Sequence, residues 1–120
     1  MSKIYIAGSF SGRKRIIDHH QYLITKGHIL LSKWYLPEHF IESAWDDRFD
    51  GDVAAAMAMT DIYAILEADL VILDTIDKSS TGGSDTELGA AIVRNLVGNP
   101  LPIIHIGPYR NVFQTLVHEH

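Results

Sequence analysis

The sequence predicts an α/β fold built on a parallel sheet, and three observations carry that expectation. Strand-like and helix-like patterns alternate along the chain, the segment "DLVILD" is almost unbroken in apolar residues, and no repeat, low-complexity tract or linker interrupts the alternation. A strand that is apolar on both sides suits a sheet covered on both faces. Alternating helices supply such covers through crossover connections.

The elements follow in order. "KIYIAG" is a β-rich run halted by glycine. "SGRKRIIDHHQYLITKG" carries Ile16, Ile17, His20, Leu23 and Ile24 at helical spacing and closes on Gly27, a helix C-cap. "HILLSKW" reads as a second strand and opens into the irregular "YLPEHFIESAWDDRFDGD". The alanine- and methionine-rich stretch from Val53 to Ala68 predicts a helix of about four turns. "DLVILD" is the third strand, and a glycine loop then leads into a helix from Ser84 to about Val97. "LPIIHIG" is a fourth strand and "RNVFQTLVHEH" a closing short helix. Sheets of this kind bind ligands beyond the carboxyl ends of their strands. That rule singles out the loops Gly8–Arg13, Trp34–Asp52, Thr75–Ser84 and Gly107–Asn111.

Composition narrows the function classes. The 120 residues predict one domain spanning 1–120, and 47% hydrophobic with 21% charged residues fits a globular core. A net charge of -5 argues against a nucleic-acid polymer or an anionic membrane as main partner, since both need a basic face. With no cysteine, disulfides, thiolate metal sites and cysteine nucleophiles are excluded. No apolar run approaches the roughly 20 residues that span a bilayer, and "MSKIYIAGSF" enters a strand pattern directly rather than a signal-peptide layout. A cytoplasmic location is expected. The histidines form no metal constellation: His19 and His20 are adjacent and so diverge on a helix, while His118 and His120 close the chain.

The segment "SSTGGSDTELGAA" raises a sharper question. Ser84-Asp85-Thr86-Glu87 fits the capping box S-x-x-E, which explains both the serine and the glutamate as partners of free backbone N–H groups. The same glutamate stands where a helix opens behind two glycines at the ligand-binding edge, so it also suits attack on the anomeric carbon of a bound sugar. Asp61 shares a stripe with Met57, Ala64, Ile65 and Ala68. It either faces water or faces inward, and burial in the second case raises its pKa towards that of a general acid. The first loop, "AGSFSGRKR", with Gly8, Ser9, Ser11 and Arg13, suits a phosphate held by backbone N–H groups, or is a solvated basic first turn; it is not a Walker loop. Trp34, Tyr35 and Trp45 bracket the irregular loop and suit either stacking on a base or core packing.

Taken in order, "KIYIAGSFSG", "TDIYAILEADLVILD" and "STGGSDTELGAAI" resemble the nucleoside 2-deoxyribosyltransferase superfamily, which includes 2'-deoxynucleoside 5'-phosphate N-hydrolases. The resemblance runs through most of the chain and is weakest from Tyr35 to Asp52. It implies a flavodoxin-like (Rossmann-like) three-layer sandwich, a nucleoside or nucleotide substrate, no metal and no organic cofactor. It also implies a homodimer or higher homo-oligomer whose subunits complete each other's pockets. By that resemblance Glu87 is the nucleophile, Asp61 contacts and helps protonate the departing base, and Tyr5 orients the nucleophile. Gly8, Ser9, Ser11, Arg13, Trp34, Thr81, Gly83 and Ser84 are then candidate substrate contacts. Superfamily transferases that act on free nucleosides carry an aspartate six residues before the nucleophile, and this chain has Thr81 there. A hydroxyl followed by bare glycine amides suits a 5'-phosphate, which a carboxylate would repel. Asp85 opposes that inference if it points into the pocket. Two alternatives remain open at this stage. One is a NAD- or ribonucleotide-cleaving glycohydrolase, since "TGGSDTE" is similar to the G-G-x-G-T-x-x-E motif of phosphoribohydrolases, although Asp85 replaces a glycine and the glutamate comes early. The other is a non-catalytic nucleotide-binding sensor in which Glu87 is only a cap.

Overall fold

The computed structural model describes residues 1–37, 51–77 and 83–120. Trp45, Thr81 and Gly82 lie outside these residues, as does most of the irregular loop. The described elements are β1 (Lys3–Gly8), a 3-10 turn (Phe10–Gly12), α1 (Arg13–Thr25), β2 (Ile29–Leu30), α2 (Gly51–Glu67), β3 (Leu70–Asp74), α3 (Gly83–Leu96), β4 (Ile103–Ile106) and a second 3-10 turn (Val112–Leu116). The four strands pair in parallel in the order β2-β1-β3-β4. This is the predicted parallel α/β sheet, and its strand order is that of a flavodoxin-like fold.

The alternation of side chains along each strand builds two cores. Tyr5 and Ala7 of β1, Val71 and Leu73 of β3 and Ile103 of β4 pack with Ile65 of α2 and Leu88 and Ala91 of α3. Ile4, Ile6 and Ile72 point the other way and pack with Ile16 of α1, Leu30 and Tyr35. Helix α1 therefore covers one face and α2 with α3 the other. Both faces of β1 and β3 are buried, which is why "DLVILD" shows no polar alternation.

Helix α1 ends as its glycine predicts. Gly27 adopts φ 87°, its N–H donates to Ile24 O at 3.0 Å, and the His28 N–H donates to Leu23 O at 3.2 Å. That pair of bonds is a Schellman motif, which places a left-handed residue where a side chain would be strained. At the far end of α2, the buried Arg94 of α3 donates to Ile65 O at 2.8 Å and Ala68 O at 2.5 Å. Carbonyls at the end of a helix lack intrahelical partners, so this cation both satisfies them and ties α3 to α2. No helix among the described residues is long and apolar enough to cross a membrane.

Two expectations fail locally, each for a hydrogen-bonding reason. The strand expected over "HILLSKW" pairs only at Ile29 and Leu30. Leu31 N–H still donates to Ile4 O at 2.8 Å, but beyond it side chains take over the edge of β1. Ser32 Oγ accepts from Ile6 N–H and Trp34 Nε1 donates to Ile6 O, both at 2.9 Å. The chain can leave the sheet because those groups need no second backbone. The closing segment is also not one helix. Asn111 caps a single 3-10 turn by accepting from Phe113 and Gln114 N–H, and the tail then runs extended beside β4. His105 N–H donates to Glu119 O at 2.8 Å and His118 N–H to Ile103 O at 3.0 Å. An edge strand with open donors and acceptors outcompetes a weak helix for these residues.

Candidate active site

The chain leaves β1 for β2 on one side and later crosses to β3 on the other, so the sheet reverses direction between β1 and β3. Ligands bind at the carboxyl ends of strands on either side of such a reversal. Gly8 and Asp74 are paired there. A Cβ at Gly8 would stand 2.6 Å from Ile16 Cδ1 and 3.1 Å from Asp74 O, so only glycine lets α1 and β3 approach this closely.

Tyr5, Ala7 and Ser9 follow one another at spacing two and so share the face of β1 that looks towards α2 and α3. Tyr5 is fully buried, and its hydroxyl donates a hydrogen bond to Glu87 Oε2 on the second turn of α3. Burial, then the charges of Glu87 and Asp61, push the phenol far above its ordinary pKa, so it remains a donor at any working pH. Glu87 is pushed up to about 8, chiefly by burial; the bond from Tyr5 opposes the shift and the neighbouring Asp61 charge adds to it. Asp61 of α2 is half-buried and pushed up to about 6, again by burial and against a hydrogen bond from Tyr5. Asp61 therefore faces inward rather than water. Burial raises both carboxyls, Glu87 further than Asp61, so near neutral pH the proton of the pair rests mainly on Glu87 and the charge on Asp61.

The capping alternative for Glu87 meets a different geometry. Helix α3 already includes Gly83 and Ser84, so Ser84 stands inside its first turn rather than before it. The hydrogen bond that Glu87 makes among the described residues is the one from Tyr5 across to the sheet.

At the carboxyl ends of β1 and β3 lies a pocket of about 150 Å³, which Tyr5, Asp61 and Glu87 do not line. Ser9 after β1, Thr75 after β3 and Ser84 of α3 form its hydroxyl-bearing wall, with Asp85, Arg110 and Asn111 around the rim. Ser84 and Glu87 are three residues apart on α3, which puts them on one side of that helix about one turn apart. Ser9 is buried and shares a 2.6 Å hydrogen bond with Ser11 Oγ. Gly83 is the exposed first residue of α3. Trp34 is half-buried, donates to Ile6 O and stacks edge-on to Tyr35, so its ring belongs to the packing. Arg13 folds back: its guanidinium lies 4.4 Å from the Phe10 ring centre and donates to Phe10 O.

Sequence reasoning missed the groups that build the opposite rim. Arg15, not Arg13, reaches the strand ends, with Nε 3.0 Å from Asp74 Oδ2 and Nη2 2.9 Å from Asp74 Oδ1 and 2.8 Å from Asp77 Oδ2. The signal available was an aspartate ending an apolar strand, a charge that needs a cation once the sheet is covered. Arg110 donates to Thr75 O and Ile76 O, and Thr75 Oγ1 pairs with the buried His105 Nε2 at 2.6 Å. These contacts join segments roughly thirty residues apart, and local periodicity carries no trace of such pairings. Among the described residues no cluster of His, Asp or Glu is arranged to hold a metal ion.

A parallel sheet ordered β2-β1-β3-β4 with helices on both faces defines a flavodoxin-like fold, and solved structures share that fold. One is a 2-deoxyribosyltransferase from Bacillus psychrosaccharolyticus, which matches with a TM-score of 0.71 at 23% identity over 98% of this chain and 85% of that one. Another is the CMP N-glycosidase of Clostridium botulinum, with a TM-score of 0.55 at 20% identity over 98% of this chain and 85% of that one. At these identities the likeness is one of fold. No family model and no curated protein sequence matches the chain.

Proposed function

We propose that this protein cleaves or transfers the N-glycosidic bond of a 2'-deoxynucleoside or its 5'-monophosphate, through a glycosyl ester on Glu87. The observation that carries this reading is geometric: the buried Tyr5 hydroxyl donates to Glu87 with Asp61 beside them, and burial raises both carboxyls. The activities of the two structural neighbours, deoxyribosyl transfer and CMP N-glycosidic cleavage, support it.

The reactive form is the tautomer that carries the proton on Asp61 and the charge on Glu87, the reverse of the one the two pKa values favour. In the first step its Glu87 carboxylate attacks the anomeric carbon as the carbon–nitrogen bond breaks. The electron pair of that bond goes to the base, and Asp61 in its acid form supplies the proton, so the base leaves neutral. Tyr5 holds Oε2 and leaves Oε1 to attack. In the second step water or another base attacks the same carbon from the face the first base left. Asp61 takes the proton released, and Glu87 departs as carboxylate. Two inversions give net retention.

The direct test is to incubate the protein with each deoxynucleoside and deoxynucleotide, with and without an acceptor base, and to separate the products. Free or exchanged base is the expected result, together with a chain heavier by one deoxyribosyl group in rapidly quenched samples. Turnover of NAD or AMP instead would move the assignment to ribosyl substrates. Ligand-induced thermal stabilisation without any product would make the protein a sensor.

The same reading takes the working unit to be a homo-oligomer. Met59, Tyr63 and Leu66 lie at spacing four and three on α2, with Val93 and Leu96 on α3 and Val97 just after it; all are between 47% and 79% exposed. A soluble monomer rarely leaves so many large apolar groups in water on one layer. A single charge placed there, Tyr63→Arg, is expected to reduce the particle from a multiple of the chain mass to that of one chain, measured by light scattering after size exclusion. A wild type that already runs as one chain overturns the oligomer.

A further inference from the structure

The two carboxyls sit on different helices, Asp61 on α2 and Glu87 on α3, so the spacing of those helices sets the distance between them. We propose that Arg94 is a positioning residue for the pair: its guanidinium, two turns away, fixes α2 against α3 and so holds Asp61 at its place beside Glu87. This rests on the glycosidic reading above, in which the pair is the reacting unit.

Both helices lead from the carboxyl ends of the sheet back to its amino ends, so they run parallel to each other. They are joined at two levels. At the first, the Tyr5 hydroxyl lies against Glu87 and Asp61. At the second, Arg94 Nη1 donates to Ile65 O and to Ala68 O. Ala68 follows Asp61 by seven residues and Arg94 follows Glu87 by seven. Seven residues are two helical turns, so each level uses the same face of each helix, roughly 10 Å further along. Between the levels Ala64 and Ala91 pack beside Ile65 and Leu88. Alanines make shallow ridges, which resist sliding less than large side chains do. The polar joints therefore carry much of the register.

Capping alone does not account for this arginine. Helices α1 and α3 close on glycines of their own, Gly27 at φ 87° and Gly98 at φ 88°. The chain after α2 has Ala68 and Asp69 there, and its closing carbonyls go to a cation from the neighbouring helix. That cation is 9% exposed, and its acceptors among the described residues are neutral: the two carbonyls and, at 3.4 Å, Asn99 Oδ1. Its Nε is buried without a partner. A charge buried among neutral acceptors costs free energy that a local glycine cap avoids. What it adds is a fixed link between the helices that carry the carboxyls.

The experiment compares wild type with Arg94→Met, which keeps an unbranched stem without donors, and Arg94→Lys, which keeps a cation. Ile16→Val, in the core on the opposite face of the sheet, controls for a loss of stability alone. The readouts are Tm, kcat and KM for a deoxynucleoside, and the titration of Glu87 followed without substrate by carboxyl-carbon NMR. Arg94→Met is expected to lower kcat about tenfold or more with KM changed less than about twofold, because substrate is not touched but the reacting groups are displaced. Its Glu87 midpoint is expected to fall by about one unit, as separation of the helices admits water and removes the Asp61 charge. Arg94→Lys is expected to fall between, since one ammonium holds two carbonyls less firmly than a planar fork. A folded Arg94→Met with wild-type kcat and midpoint overturns the proposal and leaves the glycosidic reading standing. So do equal changes in Ile16→Val. If Arg94→Met does not fold, Arg94→Lys decides: a lowered kcat and midpoint support the proposal, and wild-type values with a lowered Tm overturn it. A midpoint displaced in the Arg94 variants, with no turnover even in wild type, supports the brace while the glycosidic reading fails.

Discussion

Glu87→Gln is expected to lower turnover by about 10⁴-fold or more while making the folded protein more stable at alkaline pH. The rate loss follows from removing the atom that forms the covalent ester, since an amide oxygen is a poor nucleophile and the remaining groups act only around it. The stability gain follows from proton linkage. The folded pKa of Glu87, about 8, lies above its ordinary value of 4.5. Between those two pH values the native state keeps a proton that the unfolded chain has released, so stability declines as pH rises through that window. The contribution is fully present below about 4.5 and fully lost above about 8. Glutamine carries no such charge. The two proteins should therefore melt close together near pH 4 and diverge by several degrees near pH 8.5, a gap that corresponds to something on the order of 1–3 kcal/mol. Calorimetry across that range, beside the turnover assay, separates a reactive carboxylate from a helix cap. A capping residue would lose stability on substitution at every pH and would leave no reason for the alkaline gain. The combination of a destabilising group and a large rate effect is what a functional site held at a cost in stability predicts.

Much of the fold was legible because its signals are local. The unbroken apolar run in "DLVILD" meant a strand covered on both faces, and Gly27 closed α1 in the left-handed conformation that only its missing Cβ makes easy. The position of Glu87 at the head of α3 was equally legible. Whether it turned back to its own helix or across to the sheet was not, because the S-x-x-E pattern is the same in both cases. Tyr5 decided it: the residue lies eighty-two positions away, and a strand side chain reaches Glu87 only once β1 and α3 are packed. The same limit explains the exchange of Arg13 for Arg15. Both sit in the first turns of α1, two residues apart, and which one reaches Asp74 depends on how the helix is rotated over β3. The second strand failed for a finer reason, since Ser32 and Trp34 imitate backbone partners with side-chain atoms, and no propensity scale registers that.

Asp61→Asn is expected to cost about 10²–10⁴-fold in turnover, and the size of the loss should depend on the leaving group. A base that must be protonated as it departs loses most. A deoxyriboside whose leaving group is stable as an anion needs no proton and should keep most of its rate. The pH profile should change shape as well. In the wild type, activity falls below about pH 6, where both carboxyls are protonated and no nucleophile exists, and again above about pH 8, where both are ionised and no acid remains. With asparagine at position 61 only Glu87 titrates. Its pKa moves down, because the Asp61 charge that helped to raise it is gone. The bell then becomes a single rise to a plateau, with its midpoint below that of the wild-type alkaline limb. Rates measured with one good and one poor leaving group, from pH 5 to pH 9.5, decide the point. A variant that keeps the alkaline fall, or loses equally with both leaving groups, would show that the proton comes from another residue and that Asp61 only shapes the pocket around Glu87.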